Sequence, residues 1–139
     1  MAGITMTPDL YKCAVNYVGV TSMELLYSDF PKVWEPLMEQ QKVQTGDPVK
    51  DAELLKSVSP IEMVDRIKTP LYIVHGVRDW QVPIAHAEIL KRELVKNGKK
   101  EGEDFWWMVK DDEGHGFRLE ENRVELYNEL DKFFAAYLN

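Results

Sequence analysis

Asp79 and His115 are the two side chains whose surroundings best suit chemistry. Asp79 stands in His75-Gly76-Val77-Arg78-Asp79-Trp80-Gln81-Val82-Pro83, and His115 in Asp112-Glu113-Gly114-His115-Gly116-Phe117. Each string follows an apolar run of strand character, so each sets a titratable group on the loop leaving a strand, where α/β folds gather their reactive side chains. A carboxylate held there can orient an imidazole and select its tautomer. The glycines flanking His115 let the chain turn sharply enough for the ring to project toward a neighbouring loop. Structural alternatives stand beside these roles. Asp79 can cap the helix that Pro83 opens or pair with Arg78, and His115 can occupy an ordinary glycine-rich turn. His75 reads as a packed strand-end residue, and His86 as a helix histidine with no partner in view.

An acid and a base call for a nucleophile, and the sequence offers no obvious one. Its serines are Ser22, Ser28, Ser57 and Ser59, and none lies in a Gly-x-Ser-x-Gly turn. Metal chemistry has little support: Asp111, Asp112, Glu113 and His115 cluster in sequence, but no His or Cys pair has zinc spacing and no loop has a calcium pattern. No glycine-rich phosphate loop follows a strand. No cofactor and no metal are expected.

These side chains belong to a chain of 139 residues, 45% hydrophobic and 29% charged, with a formal net charge of −7. That length suits one domain with a single core, and nothing in it reads as a linker, repeat or low-complexity segment. The negative balance, without a Lys/Arg cluster, argues against nucleic acid or an anionic membrane as partner. No run approaches the ~20 apolar residues of a membrane span. The first residues, Met-Ala-Gly-Ile-Thr-Met-Thr-Pro, carry neither the basic nor the apolar region of a signal peptide. Cys13, the one cysteine, cannot form an internal disulfide and reads as a buried small hydrophobe. The compartment stays unassigned.

Three continuous apolar runs, 13–18, 71–75 and 105–109, predict parallel strands buried on both faces. Between the last two, Pro83 opens a helical pattern with Ile84, Ala87, Leu90 and Leu94 at helical spacing, which stops at Asn97-Gly98. A closing amphipathic helix is expected over 120–138, with Tyr127, Leu130, Phe134 and Tyr137 as its apolar stripe. Residues 19–69 are broken by Pro31, Pro36, Gly46-Asp47-Pro48 and Ser59-Pro60. They predict a helical excursion with short helices over 21–26, 32–42, 49–57 and 61–67, Asp47 capping the third. Met1 to Met6 reads as the last turns of a helix. The first strand would lie at an open sheet edge.

The order strand, His-Gly-x-x-Asp-x-x-Val-Pro, helix, strand, Asp-Glu-Gly-His-Gly-Phe, helix resembles the carboxy-terminal part of the prolyl oligopeptidase family catalytic domain. Thr7-Pro8-Asp9-Leu10-Tyr11-Lys12-Cys13-Ala14 is similar to that family's segment before its sixth strand, and Ser59-Pro60 to its Ser-Pro before the seventh. The resemblance runs the length of the chain. It implies an α/β-hydrolase fold, with Asp79 as triad acid and His115 as general base. It also implies a primary specificity pocket to which Met23, Leu26, Phe30 and Val82 contribute, although the tyrosines of dipeptidyl-peptidase relatives are not matched there. The family's Gly-x-Ser-x-Gly-Gly elbow is not matched either. The expectation is therefore the C-terminal portion of a serine-type peptidase domain, a single partial domain over 1–139 that is inactive alone. The other expectation is a non-catalytic module that self-associates, as a homodimer, through its open sheet edge.

Overall fold

The computed structural model describes residues 1–138, and its centre is a three-stranded parallel sheet of order β1-β2-β3. The strands are β1 (Ala14–Tyr17), β2 (Leu71–Gly76) and β3 (Phe105–Lys110). Ala14 pairs with Leu71 and Tyr17 with Val74, while Leu71 pairs with Phe105 and Gly76 with Lys110. All six residues of β2 are buried, as its apolar run predicts for a central strand. β1 and β3 differ from expectation. Each pairs on one side only, and half or more of its residues are partly exposed, so an apolar run here marks a parallel sheet without marking full burial.

Alternation along the strands sorts the core into two layers. Leu71 and Ile73 of β2, with Phe105 of β3, face Ile4, Val64, Ile67, Ala87, Leu90 and Leu94. Those residues come from α1 (Ala2–Met6), the 3-10 segment Pro60–Arg66 with the residue after it, and α5 (Ala85–Lys96). Tyr72, Val74 and Met108 face Phe117 and the helix α6 (Glu120–Leu138), which contributes Leu126 and Phe133. Phe133 meets Tyr72 at 5.4 Å and Trp106 at 5.2 Å between ring centroids. α6 is therefore turned from the expected stripe. Leu130 and Tyr137 pack on the sheet, but Tyr127 and Phe134 stay exposed while Asn122, Leu126 and Phe133 are buried. The two candidate stripes share Leu130 and Tyr137 and are centred about 60° apart on the helix, and the aromatic contacts to Tyr72 and Trp106 select between them.

α5 ends as its sequence predicts. Gly98 takes φ 80°, and the Lys99 and Gly98 N–H groups donate to the Leu94 and Val95 carbonyls, closing the helix in a Schellman motif. The excursion holds α2 (Met23–Ser28), α3 (Met38–Thr45) and α4 (Ala52–Val58), with a 3-10 segment at Lys32–Leu37. The expected helix over 32–42 is split, because Pro36 has no N–H and α3 starts only at Met38. Asp47 does not cap α4. Its Oδ1 accepts from the Val49 and Lys50 N–H groups, so it closes the turn that precedes the helix. The segment expected as a helix over 61–67 is 3-10 and kinks at Met63 (φ −126°, ψ 24°). Ser59 ties the excursion together, donating to the Leu55 carbonyl at 2.8 Å and accepting from the Met23 N–H at 2.9 Å.

Candidate functional site

β2 and β3 are adjacent and parallel, so the loops leaving their C-terminal ends emerge side by side. Gly76 lets them touch: a Cβ there would overlap the carbonyl oxygens of Glu113 and Gly114. The Arg78 N–H then donates to the Glu113 carbonyl at 2.8 Å, and the Val77 N–H to the Lys110 carbonyl at 2.9 Å. The outcome is that Asp79 Oδ2 lies 2.8 Å from His115 Nδ1.

The two partners have opposite exposure. The Asp79 side chain is fully buried, while 35% of the His115 side chain is exposed. Asp79 Oδ1 accepts from the Gln81 and Val82 N–H groups, both at 2.9 Å, so the turn-capping role and the histidine-orienting role occupy separate oxygens of one carboxylate. With Nδ1–H donating to this carboxylate, the lone pair of His115 falls on Nε2, the tautomer a general base requires. His75 lies beneath. Its Nε2–H donates to the Val82 carbonyl at 2.8 Å and sits 3.6 Å from Asp79 Oδ2, which fixes the loop from below.

Glu113 sets the far side of the histidine loop. Fully buried, it accepts from the Arg118 N–H (2.7 Å), the Leu119 N–H (2.9 Å) and the Asn122 amide (2.9 Å). Burial pushes its carboxyl up, but the Arg118 N–H, the Asn122 amide and the Leu119 N–H, with the Arg118 charge, outweigh that and hold it below the usual carboxylate range. The same bonds satisfy N–H groups at the start of α6, so one carboxylate anchors both helix and loop. From β1, Tyr17 Oη accepts the Phe117 N–H, and the two rings meet edge to face at 5.5 Å. Burial raises the Tyr17 phenol pKa, so it remains protonated.

His86 has a partner after all. Its Nδ1 accepts the Thr21 N–H at 3.2 Å, and Thr21 Oγ1 donates to the His86 carbonyl at 2.8 Å, joining the exit of β1 to the start of α5. Burial first, then the nearby His75, lowers its pKa to about 4. Cys13 is only partly buried, though burial raises its thiol pKa. Among the described residues no group of three or more His, Cys, Asp or Glu side chains is disposed to hold a metal ion, and no helix is long and apolar enough to cross a membrane.

Beside His115 lies a groove of about 260 Å³ lined by Arg78, Trp80, Gln81, Asp112 and Arg118 among others. Met23, Leu26, Phe30 and Val82 are not among its walls. A larger cleft of about 490 Å³ opens under the excursion between α2 and α4, bordered by Tyr27, Pro48 and Leu55, and those four residues do not line it either. Val82 is buried beside Asp79, and Met23, Leu26 and Phe30 are partly buried. Phe30 nevertheless connects to the groove through an aromatic ladder, meeting Trp34 edge to face at 6.1 Å, and Trp34 in turn meets Trp80 at 5.3 Å. Sequence reasoning missed Tyr17, Trp34 and Trp80 and read Glu113 only as part of an acidic run. The visible signal for Glu113 was a carboxylate a few residues ahead of a helix start. Tyr17 had none, since its partner is 100 residues away.

The chain is 33% identical over 138 residues to dipeptidyl aminopeptidase BIII of Pseudoxanthomonas mexicana, a match covering 98% of this chain and 19% of that protein. It is 26% identical to dipeptidyl peptidase family member 6 of Caenorhabditis elegans, covering 99% of this chain and 18% of that protein. It thus spans about a fifth of the length of these curated relatives. Among solved structures, Pyrococcus horikoshii acylaminoacyl peptidase superposes with a TM-score of 0.80 at 20% identity, over 96% of this chain and 21% of its own. An acylaminoacyl peptidase in complex with Z-Gly-Gly-Phe-chloromethyl ketone gives 0.81 at 20% identity, over 99% and 22%. Three parallel strands, helices on both faces and these neighbours identify the C-terminal portion of an α/β-hydrolase fold. Since residues 1–139 are all matched by the prolyl oligopeptidase family, the chain belongs to that family of serine peptidases.

Proposed function

We propose that this chain furnishes the acid and the general base of a serine-peptidase triad, Asp79 and His115. The nucleophilic serine and the oxyanion donors come from polypeptide outside this sequence. The observation that carries the reading is the 2.8 Å bond from His115 Nδ1 to Asp79 Oδ2, made by two loops at the ends of adjacent parallel strands. In the completed site, His115 Nε2 takes the serine proton as Oγ attacks the scissile carbonyl. The same nitrogen then returns that proton to the leaving amine as the C–N bond breaks, and a water repeats the cycle to release the acyl group. Asp79 selects the tautomer and stabilises the imidazolium. Met23, Leu26 and Phe30 line the acyl side of the substrate, Phe30 supported through Trp34. Val82 acts from beneath, its backbone holding both Asp79 and His75.

Alone, the chain is expected to show no turnover of peptide nitroanilides or p-nitrophenyl esters and no labelling by a serine-directed phosphonate. A burst of labelling would refute the division of the triad. For the acid–base pair itself, imidazole 15N shifts are expected to report the Nδ1–H tautomer of His115 in the native chain and its loss in Asp79→Asn. An unchanged tautomer would remove Asp79 from the role.

A second reading, self-association, is favoured by the unpaired outer edge of β1 and by Met6, Leu10, Tyr11 and Tyr17, which are all exposed. Sedimentation as a dimer at roughly tens of micromolar would support it. A monomer there would not.

A further inference from the structure

The groove beside His115 has a composition that its general-base role does not require. Arg78 and Arg118 both line it, one from the loop after β2 and the other from the segment entering α6. Both side chains are exposed, and among the described residues neither guanidinium makes an ion pair, although the chain carries a net charge of −7. Each nearby carboxylate has hydrogen-bond partners of its own, and the Arg118 charge acts on Glu113 without a direct ion pair. Glu113 is buried on the Arg118 and Leu119 N–H groups, and Asp112 Oδ1 accepts from the Asn122 amide at 3.1 Å. Trp80 forms the apolar part, 56% exposed and backed by Trp34 at 5.3 Å. Two exposed guanidinium groups, an indole face and an imidazole, with Asp112 as the one exposed carboxylate of the lining, match a small ligand with an apolar side chain and a carboxylate.

We infer that this groove receives the leaving fragment of the peptide and that Arg78 and Arg118 recognise its free C-terminal carboxylate, with its side chain on Trp80. The inference rests on His115 being the group that protonates the leaving amine, because that step places the new amino terminus at the imidazole and the rest of the fragment alongside it. A groove of about 260 Å³ has room for one or two residues rather than a long chain. The substrate class is therefore a short peptide whose C-terminus lies close behind the scissile bond. An internal bond of a long polypeptide would bring no carboxylate within reach of the arginines.

The test uses the chain as it stands, with alanyl-phenylalanine and its C-terminal amide as probes followed by NMR titration. The amide is a cation and the acid a zwitterion, so the overall negative field of the protein favours the amide. Preference for the acid must then come from the groove. The acid is expected to bind roughly tenfold more tightly than the amide, the low end for charge-assisted hydrogen bonds. It should shift the Trp80 indole and His115 ring signals and weaken as salt is raised. Arg78→Gln and Arg118→Gln should each reduce that preference, and the double variant should abolish it. Equal binding of acid and amide, or acid binding that survives in the double variant, overturns the proposal. Failure of the carboxylate site leaves the His115 tautomer result untouched, and failure of the tautomer test leaves the acid–amide comparison readable, so the two failures are distinguishable.

Discussion

Lowering the pH from about 7 to about 5 is expected to cost the folded chain about 2 kcal/mol through His86 alone. In the folded state this imidazole is buried, accepts the Thr21 N–H and has its pKa lowered from 6.5 to about 4, by burial first and then by His75. In the unfolded chain it protonates near its ordinary value. Between those values the unfolded state binds more protons, so stability falls as pH falls, beginning near 6.5 and levelling off near 4. At about 1.4 kcal/mol per unit, complete passage through the window costs about 3 kcal/mol, and about 2 kcal/mol is lost by pH 5. Urea unfolding across this range measures it, with a constant m-value confirming that stability alone has changed. The comparison is His86→Asn, whose amide oxygen can still accept from Thr21 but which does not titrate. Glu113 also loses its contribution on acidification, below the ordinary carboxylate range because its carboxyl is held low, but it does so in both proteins and cancels. If wild type and His86→Asn lose stability in parallel between about pH 7 and pH 5, the assignment to His86 is wrong.

Glu113→Gln puts an amide NH2 against donors that now meet a carboxylate, leaving at least one part-buried N–H of Arg118 or Leu119 without its acceptor. A loss of about 1–3 kcal/mol is expected by denaturation, with faster hydrogen exchange at those two amides. Gly76→Ala drives a methyl group into the Glu113 and Gly114 carbonyls, and backbone on both sides leaves little room to yield. It is expected to destabilise by about 1–3 kcal/mol or more and to disturb the His115 ring signals, while Gly98→Ala, which meets no neighbour, disturbs neither the site nor its signals.

The predictions differ in kind, and so did the legibility of the residues behind them. α5 could be read closely because its determinants are local: apolar spacing, a proline near the start and a glycine at C′. Asp79 and His115 could be singled out for a similar reason, since each sits in a short string between a strand and a helix. Their pairing could be expected only through resemblance to a family, because 36 residues separate them. The stripe of α6 was misjudged because 120–138 contains two overlapping apolar faces. The choice between them depended on Tyr72 and Trp106, which lie on other elements. His86 looked partnerless because Thr21 is 65 residues earlier, across the whole excursion.

By itself, then, the sequence determined the order of strands and helices, the two loops that carry an acid and a histidine, and the family to which they belong. The first two follow from residue type and spacing over a few positions, the range over which backbone preference and side-chain periodicity act, and the family from the resemblance of the two loop motifs. Only the tertiary structure decided which oxygen of Asp79 meets His115 and which holds its own turn. It also turned Glu113 into an anchor and set two arginines and an indole around one groove. Parallel strands pair only after a long crossover, so the register of β2 against β3 brings those loops together. No local rule reaches across the 28 residues between Gly76 and Phe105 to specify that.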